Sequence, residues 1–249
     1  MEVCSVGVMH YGAMFPCTLS SLVAALVAHA IGGEATAFTL TAVPALGWLT
    51  LVQVTIFGLV CAAAAILVCT AFGVTHRFFL RHIPKPYLRV FLGGCAVVGL
   101  TLLCRTHDYN GAGMNIISAA IEQGAAHPEA FALKILFTAI TLGCGFKGGE
   151  IVPAFFVGAT FGAFYGALLG IPAGFAGALG MTAVFCGVTN CPLASILLAY
   201  ELFGGRGLPL FPLCIAVSYM LSGYRGLYSE QKIMYSKYNM DEINRRAGD

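Results

Sequence analysis

The chain has 249 residues, of which 59% are hydrophobic and 10% charged, and its net charge is +2 at neutral pH. Soluble domains carry about 25% charged residues, so a soluble globular fold is excluded, and so small a net charge gives no basis for nucleic-acid binding. The mean hydropathy is +0.86, and no Asp, Glu, Lys or Arg occurs from Ala35 to His76 or from Ile151 to Tyr200. One bilayer crossing takes about 20 apolar residues, so each stretch has room for two. The class this implies is an all-α, polytopic membrane protein. No basic region precedes the first apolar run, so no secretory signal peptide is read there.

In chain order, a first apolar segment runs from about Phe15 to Ile31 and stops at Gly32-Gly33. A second begins near Pro44 and continues past Gly73 to His76-Arg77, a length that implies strong tilt or projection beyond the hydrocarbon. The following loop holds Arg77, Arg81, Lys85 and Arg89 and no acid, which places it on the cytoplasmic side. A short third segment, Val90 to Cys104, contains Gly93, Gly94 and Gly99. Residues 105–128 are polar and glycine-containing and read as a partly inserted or surface helix. A fourth segment, Glu129 to Leu142, carries Lys134 within it, and Gly143, Gly145, Gly148 and Gly149 then crowd around Phe146-Lys147.

Beyond that break, Gly158, Gly162, Gly166 and Gly170 recur every four residues. On a helix they form one smooth stripe against which a second backbone can pack closely. Apolar segments follow at Ala173–Val188, Pro192–Phe203 and Leu210–Leu221, the first two separated by Thr189-Asn190-Cys191. Several are shorter than a full crossing. Short, broken and tilted helices are how membrane proteins bring helix ends to a midplane site, which favours a channel or transporter over a simple anchor. Residues 1–228 are therefore assigned to a transmembrane domain. Residues 229–249, with four charges of each sign, are expected to form a C-terminal helix and cytoplasmic tail.

Ten cysteines lie mostly inside apolar runs with no CxxC pair, and read as small packing residues with no disulfide. The six histidines show no HExxH or other metal spacing, and no Gly-x-Ser-x-Gly elbow occurs. No metal or cofactor is expected. An intramembrane enzyme built on Glu150, Lys147 or a histidine is the weaker reading.

The segment with chemical content is Gly145-Phe-Lys-Gly-Gly-Glu-Ile-Val-Pro153. Pro153 suits the first turn of a helix, where a missing N–H costs nothing. Backbone amides from Glu150 to Val152 would then project from a helix N-terminus, at the positive end of its dipole, which is an anion-binding arrangement. The same residues also fit a capped helix start with a favourable acid in its first turn. Glu150 itself would repel an anion when ionised. A carboxylate in apolar surroundings favours its neutral form, so Glu150 is a candidate proton carrier or protonation-dependent gate.

GCGFKGGEIVPAFFVGATFGAFYG resembles the GxFxP region of the CLC chloride channel and transporter family. Cys191-Pro-Leu-Ala-Ser-Ile-Leu-Leu-Ala-Tyr-Glu-Leu-Phe203 is similar to that family's A-P-L…E segment, and Leu227-Tyr228-Ser229 resembles its pore-tyrosine position, near the start of a final helix. The resemblance covers the whole chain and only the C-terminal half of the family's inverted-repeat fold. It implies anion binding by Gly149, Glu150, Ile151, Val152 and the Tyr228 hydroxyl, with Glu150 also the proton-coupling candidate. It assigns Glu201 a structural hydrogen-bonding role, and Lys147 reads as interfacial or paired with Glu150. Ile151 stands where the family's phenylalanine is found, and the GGE-[IV]-x-P variant resembles the bacterial fluoride/proton exchanger branch, so chloride and fluoride both remain open.

The family's GSGxP and G-[KR]-E-G-P motifs do not occur in this sequence, so a truncated or split chain that needs an N-terminal half is expected. The resemblance further implies a homodimer in a bacterial cell membrane, joined partly through the first apolar run and Pro192–Leu221. The alternative for such a chain is a non-transporting membrane or assembly protein, or a gene remnant.

Overall fold

The structure, a computed structural model, describes residues 2–8, 10–33, 36–239 and 241–247. Its helices are α1 (Met14–Ala30), α2 (Trp48–His82), α3 (Pro86–Cys104), α4 (Met114–Ser118), α5 (Ala130–Gly143), α6 (Ile151–Leu168), α7 (Ala173–Thr189), α8 (Pro192–Phe203) and α9 (Leu210–Leu221). The expected segments are all present, with ends set by local chemistry. Pro86 and Pro192 open α3 and α8 in the first turn, where proline is tolerated. Arg105, Asn190 and Gly204 close α3, α7 and α8 in the left-handed conformation that ends many helices. The segment containing α1, together with α2, α3 and α6, is long and apolar enough to cross a membrane.

The long second segment is a single 35-residue helix. At 1.5 Å per residue it extends about 52 Å, well beyond a hydrocarbon core of about 30 Å, and it serves as the spine of the bundle. Its small residues admit its neighbours: Gly58 lies against Val217 and Cys214 of α9, and Ala65 against Gly187 of α7. Further along, Thr75 abuts Gly143 at the end of α5.

The central contact is α6 on α7. A Cβ placed at Gly158 would stand 2.5 Å from the Gly180 carbonyl oxygen and 2.7 Å from Met181 Cα. One turn on, Gly162 meets Ala176 and Gly177 backbone in the same way. At Gly158 and Gly162 the stripe is thus a backbone-to-backbone crossing, whereas Gly166 faces the Ala176 side chain and Gly170 lies past the end of α6, beside Gln53. All but three of the seventeen residues of α7 are buried. No residue of α1 is buried, and of α3 only Gly93 is.

Residues 105–128 differ from a simple surface helix. A single turn, α4, runs into a π-helical turn at Ala119–Gln123. Ile117, Ala120 and Ile121 are buried, because Gly174 and Gly177 of α7 open space for the carbonyls of Ile121 and Ala120. Lys134 of α5 is 1% exposed and donates to the carbonyl oxygens of Tyr109 (3.1 Å) and Gly111 (2.6 Å), with its ammonium 4.9 Å from the Phe156 ring centroid.

The tail corrects the helix expected over 229–249. It forms β2 (Lys232–Tyr235) and β3 (Glu242–Arg246), and β2 pairs in parallel with β1 (Ser5–Val6) to give a sheet of order β1-β2-β3. Ser236 accepts from the amides of Tyr238 and Asn239 to shape the turn between β2 and β3. Val6, Ile233 and Ala247 form a small core beneath this sheet, packed on Tyr219 and Tyr224. Balanced charge suggested a solvated helix. The alternation of exposed Lys232 with buried Ile233 has the strand period, and its partner strand lies more than 220 residues away. The other chain end is tied down too: the Glu2 carboxylate accepts from the Leu193 (3.1 Å) and Ala194 (2.8 Å) amides at the start of α8.

Candidate functional site

The loop between α5 and α6 is anchored at its first half and open at its second. Cys144 packs into the notch left by Gly93 of α3, and Arg89, one turn earlier on α3, donates to the Cys144 carbonyl at 3.1 Å. Gly145 has φ +108°, a conformation that favours glycine. From Phe146 to Gly149 the chain is exposed, and nothing lies within 4 Å of a Cβ built at Gly149.

Helix α6 begins at Ile151, and its first capping carbonyl, that of Glu150, accepts from the Ala154 amide at 3.2 Å. The Glu150 side chain makes no capping bond. Among the described residues, the amides of Gly149, Glu150, Ile151 and Val152 have no acceptor. Such orphan N–H groups at the positive end of a helix dipole suit an anion. Glu150 is half-buried, without an ion pair among the described residues, and Lys147 is exposed and unpaired with it.

Tyr228 does not begin a helix, which corrects that expectation. It lies in the turn between α9 and β2. Leu227 fixes this turn by donating to the Val188 carbonyl at 2.9 Å, and Asn190 donates to the Arg225 carbonyl at 3.1 Å. The Tyr228 hydroxyl has no partner among the described residues, and the Glu150 charge reaches it. Burial and, after it, the Glu150 charge push the Tyr228 hydroxyl above its ordinary value, although the two residues are 78 positions apart in sequence. Glu201 stands apart: it is exposed near the end of α8 and has no hydrogen bond among the described residues. The structural hydrogen-bonding role expected of it is not seen there.

Sequence reasoning missed the groups that hold this turn. Asn190, read only as a break, is 2% exposed and bonds Gln231 Oε1 (3.0 Å) as well as Arg225. Its Oδ1 accepts from Lys237 Nζ at 2.6 Å. Lys237 reaches in from the tail, also donating to the Tyr219 carbonyl (2.9 Å) and Ser222 Oγ (3.2 Å), over the Tyr219 ring. An asparagine closing an apolar helix was the one available signal.

Burial lowers Lys237 from its ordinary 10.5 to about 8, against smaller upward pulls from Cys186 and Cys69. Between those values the unfolded chain holds the extra proton, so the folded state gains stability as pH rises through that window. Lys237→Met should abolish that gain. Thermal melts of both proteins at about pH 7.5 and 9.5 check the sign, and equal pH dependence would contradict it.

A family model described as voltage gated chloride channel matches residues 1–223. The chain belongs to that family. Over 245 residues it is 35% identical to the chloride/fluoride channel protein of Pseudomonas syringae pv. tomato, covering 96% of this chain and 54% of that one. It is 27% identical over 213 residues to the voltage-gated ClC-type chloride channel ClcB of Salmonella typhimurium, covering 80% and 50%. The crystal structure of a CLC-type fluoride/proton antiporter superposes with a TM-score of 0.89 at 28% identity, over 93% of this chain and 59% of that one. This CLC-family chain thus has the fold implied by GGEIVP and CPLASILLAYELF, and is a multi-pass membrane protein. It spans about half the length of the curated relatives it matches.

Proposed function

We propose that this CLC-family chain carries an anion site of a transporter that moves chloride or fluoride across a bacterial cell membrane. The observation that carries the reading is the open start of α6, where the amides of Gly149, Glu150, Ile151 and Val152 lack acceptors and the unpartnered Tyr228 hydroxyl is reached by the charge of Glu150. Backbone amides bind a small anion without burying a full positive charge, and the tyrosine adds one side-chain donor. Glu150 adds a titratable group at the mouth of the same site. Protonated, it leaves the anion undisturbed; ionised, it repels it, which couples anion occupancy to protons.

The fluoride/proton antiporter among the structural neighbours and the chloride/fluoride channel among the relatives support this reading over an enzyme. Helix α1, with no buried residue, and the exposed Leu193, Leu197 and Tyr200 of α8 supply apolar surface for the homodimer contact expected on those segments. The tail sheet, past the last helix, is assigned to the cytoplasmic face.

Liposomes containing the complete gene product should release chloride or fluoride. Tyr228→Phe removes one hydrogen bond to a charged ligand, about 1.5–3 kcal/mol, so half-saturating anion concentration should rise about tenfold or more. Glu150→Gln should flatten the dependence of flux on pH. Folded protein with no flux of either anion, or unchanged transport in both variants, removes these residues from the pathway.

A further inference from the structure

Helix α3 leaves a groove along its outer side. Of its nineteen residues only Gly93 is buried. The groove, about 600 Å³, runs past Val90, Gly94, Val98 and Leu102, which stand four residues apart and so share one side of the helix. Phe146, from the loop before α6, forms the other wall, its ring 3.7 Å from a Cβ built at Gly94. From Val90 to Leu102 the helix rises about 18 Å, close to the half-thickness, about 15 Å, of a typical hydrocarbon core. That is the reach of one acyl chain in one leaflet.

The Val90 end of the groove is cationic. Arg89 donates through Nε to the Cys144 carbonyl at 3.1 Å. Its Nη2 comes 3.4 Å from the position a Cβ would take at Gly145, and Val90 Cγ2 comes 3.6 Å from that same position. The guanidinium is therefore held beside the end of the groove. A guanidinium has five N–H donors; one is committed to the Cys144 carbonyl, and no carboxylate pairs with Arg89 among the described residues. Lys147, next to Phe146, is exposed and has no bond among the described residues. Arg81 and Lys85, both exposed, add charge of the same sign where α2 gives way to α3. No Asp or Glu occurs from Ala35 to His107 or from Ala130 to Gly149. Glu150, the first acid on this loop, is half-buried at the start of α6.

A hydrocarbon-lined groove that ends in unpaired cations is complementary to an anionic amphiphile. A second protein helix would match the walls but leave the cations unanswered. We propose that α3 and Phe146 bind an anionic phospholipid, with its phosphate on Arg89 and Lys147 and one acyl chain in the groove. This site does not depend on the anion-transport reading.

The test is native mass spectrometry of the detergent-solubilised complete gene product, titrated with phosphatidylglycerol or phosphatidylcholine, with thermal melts to confirm folding. Wild type should bind the anionic lipid about fivefold or more tightly than the zwitterionic one. Arg89→Gln should lower the apparent affinity for phosphatidylglycerol about fivefold or more, and Lys147→Gln about twofold. Gly94→Leu, which puts a side chain into the groove and leaves every cation in place, should lower it about threefold or more. Arg105→Gln, at the far end of α3, should leave it unchanged. Wild-type affinity in Arg89→Gln or in Gly94→Leu overturns the proposal, and Gly94→Leu decides it should Arg89→Gln fail to fold. So does a loss in Arg105→Gln equal to that in Arg89→Gln. A wild type that binds both lipids equally, or neither because another segment or a second copy covers the groove, overturns it too. None of these outcomes bears on chloride or fluoride flux, so the two readings fail separately.

Discussion

Gly158→Leu should abolish the folded protein, leaving aggregate in place of a monodisperse peak on size-exclusion chromatography in mild detergent. Ordinary overpacking costs about 1–3 kcal/mol because side chains give way. At Gly158 the obstacles are the Gly180 carbonyl oxygen and Met181 Cα, 2.5 and 2.7 Å from the added Cβ, and both belong to α7 backbone. Relief requires moving α7 as a whole. That helix is also held by Gly187 on α2 and by Gly174 and Gly177 on the π-helical turn. Gly99, where nothing lies within 4 Å, is the matched control: Gly99→Ala should be neutral or stabilising by up to about 1 kcal/mol, the helix-propensity difference. If Gly158→Leu is recovered folded and as stable as wild type, the α6–α7 crossing is looser than described.

The second large effect is expected at Asn190. Asn190→Ala removes two donors and one acceptor from a buried site. It leaves the Lys237 ammonium short of its 2.6 Å partner and the Arg225 carbonyl without its donor. It also asks alanine to adopt φ +59°. Losing a hydrogen bond to a buried charge costs about 1.5–3 kcal/mol, and a left-handed alanine adds about 1–2 kcal/mol. The melting temperature should fall by roughly 10 °C or more, and the tail beyond Tyr228 should become sensitive to protease. Asn190→Gly separates the two causes, because it keeps the backbone conformation and loses only the hydrogen bonds. A melting temperature within about 2 °C of wild type in Asn190→Ala would mean that the tail clamp carries little of the stability.

The helices were legible in the residues because their signals are local. Long uncharged runs demand internally bonded backbone in lipid, prolines and glycines mark where those runs start and stop, and a four-residue glycine period marks the face that touches a neighbour. GGEIVP was legible for the same reason: glycines, an acid and a first-turn proline specify an open helix start from six consecutive residues. What could not be read locally is everything that depends on a distant partner. The tail looked like a helix until Ser5–Val6 supplied the strand that makes Lys232–Tyr235 half of a pair. Tyr228 was placed by resemblance, but the turn that carries it is fixed by Leu227 bonding Val188 and Asn190 holding Arg225. Nothing local in the sequence sets Arg225 or Lys237 apart from other charges. Only the folded packing of α2, α7 and the tail makes one a cation held on Thr70 and the other a buried one, since the solvation of a charge is decided by what surrounds it in space.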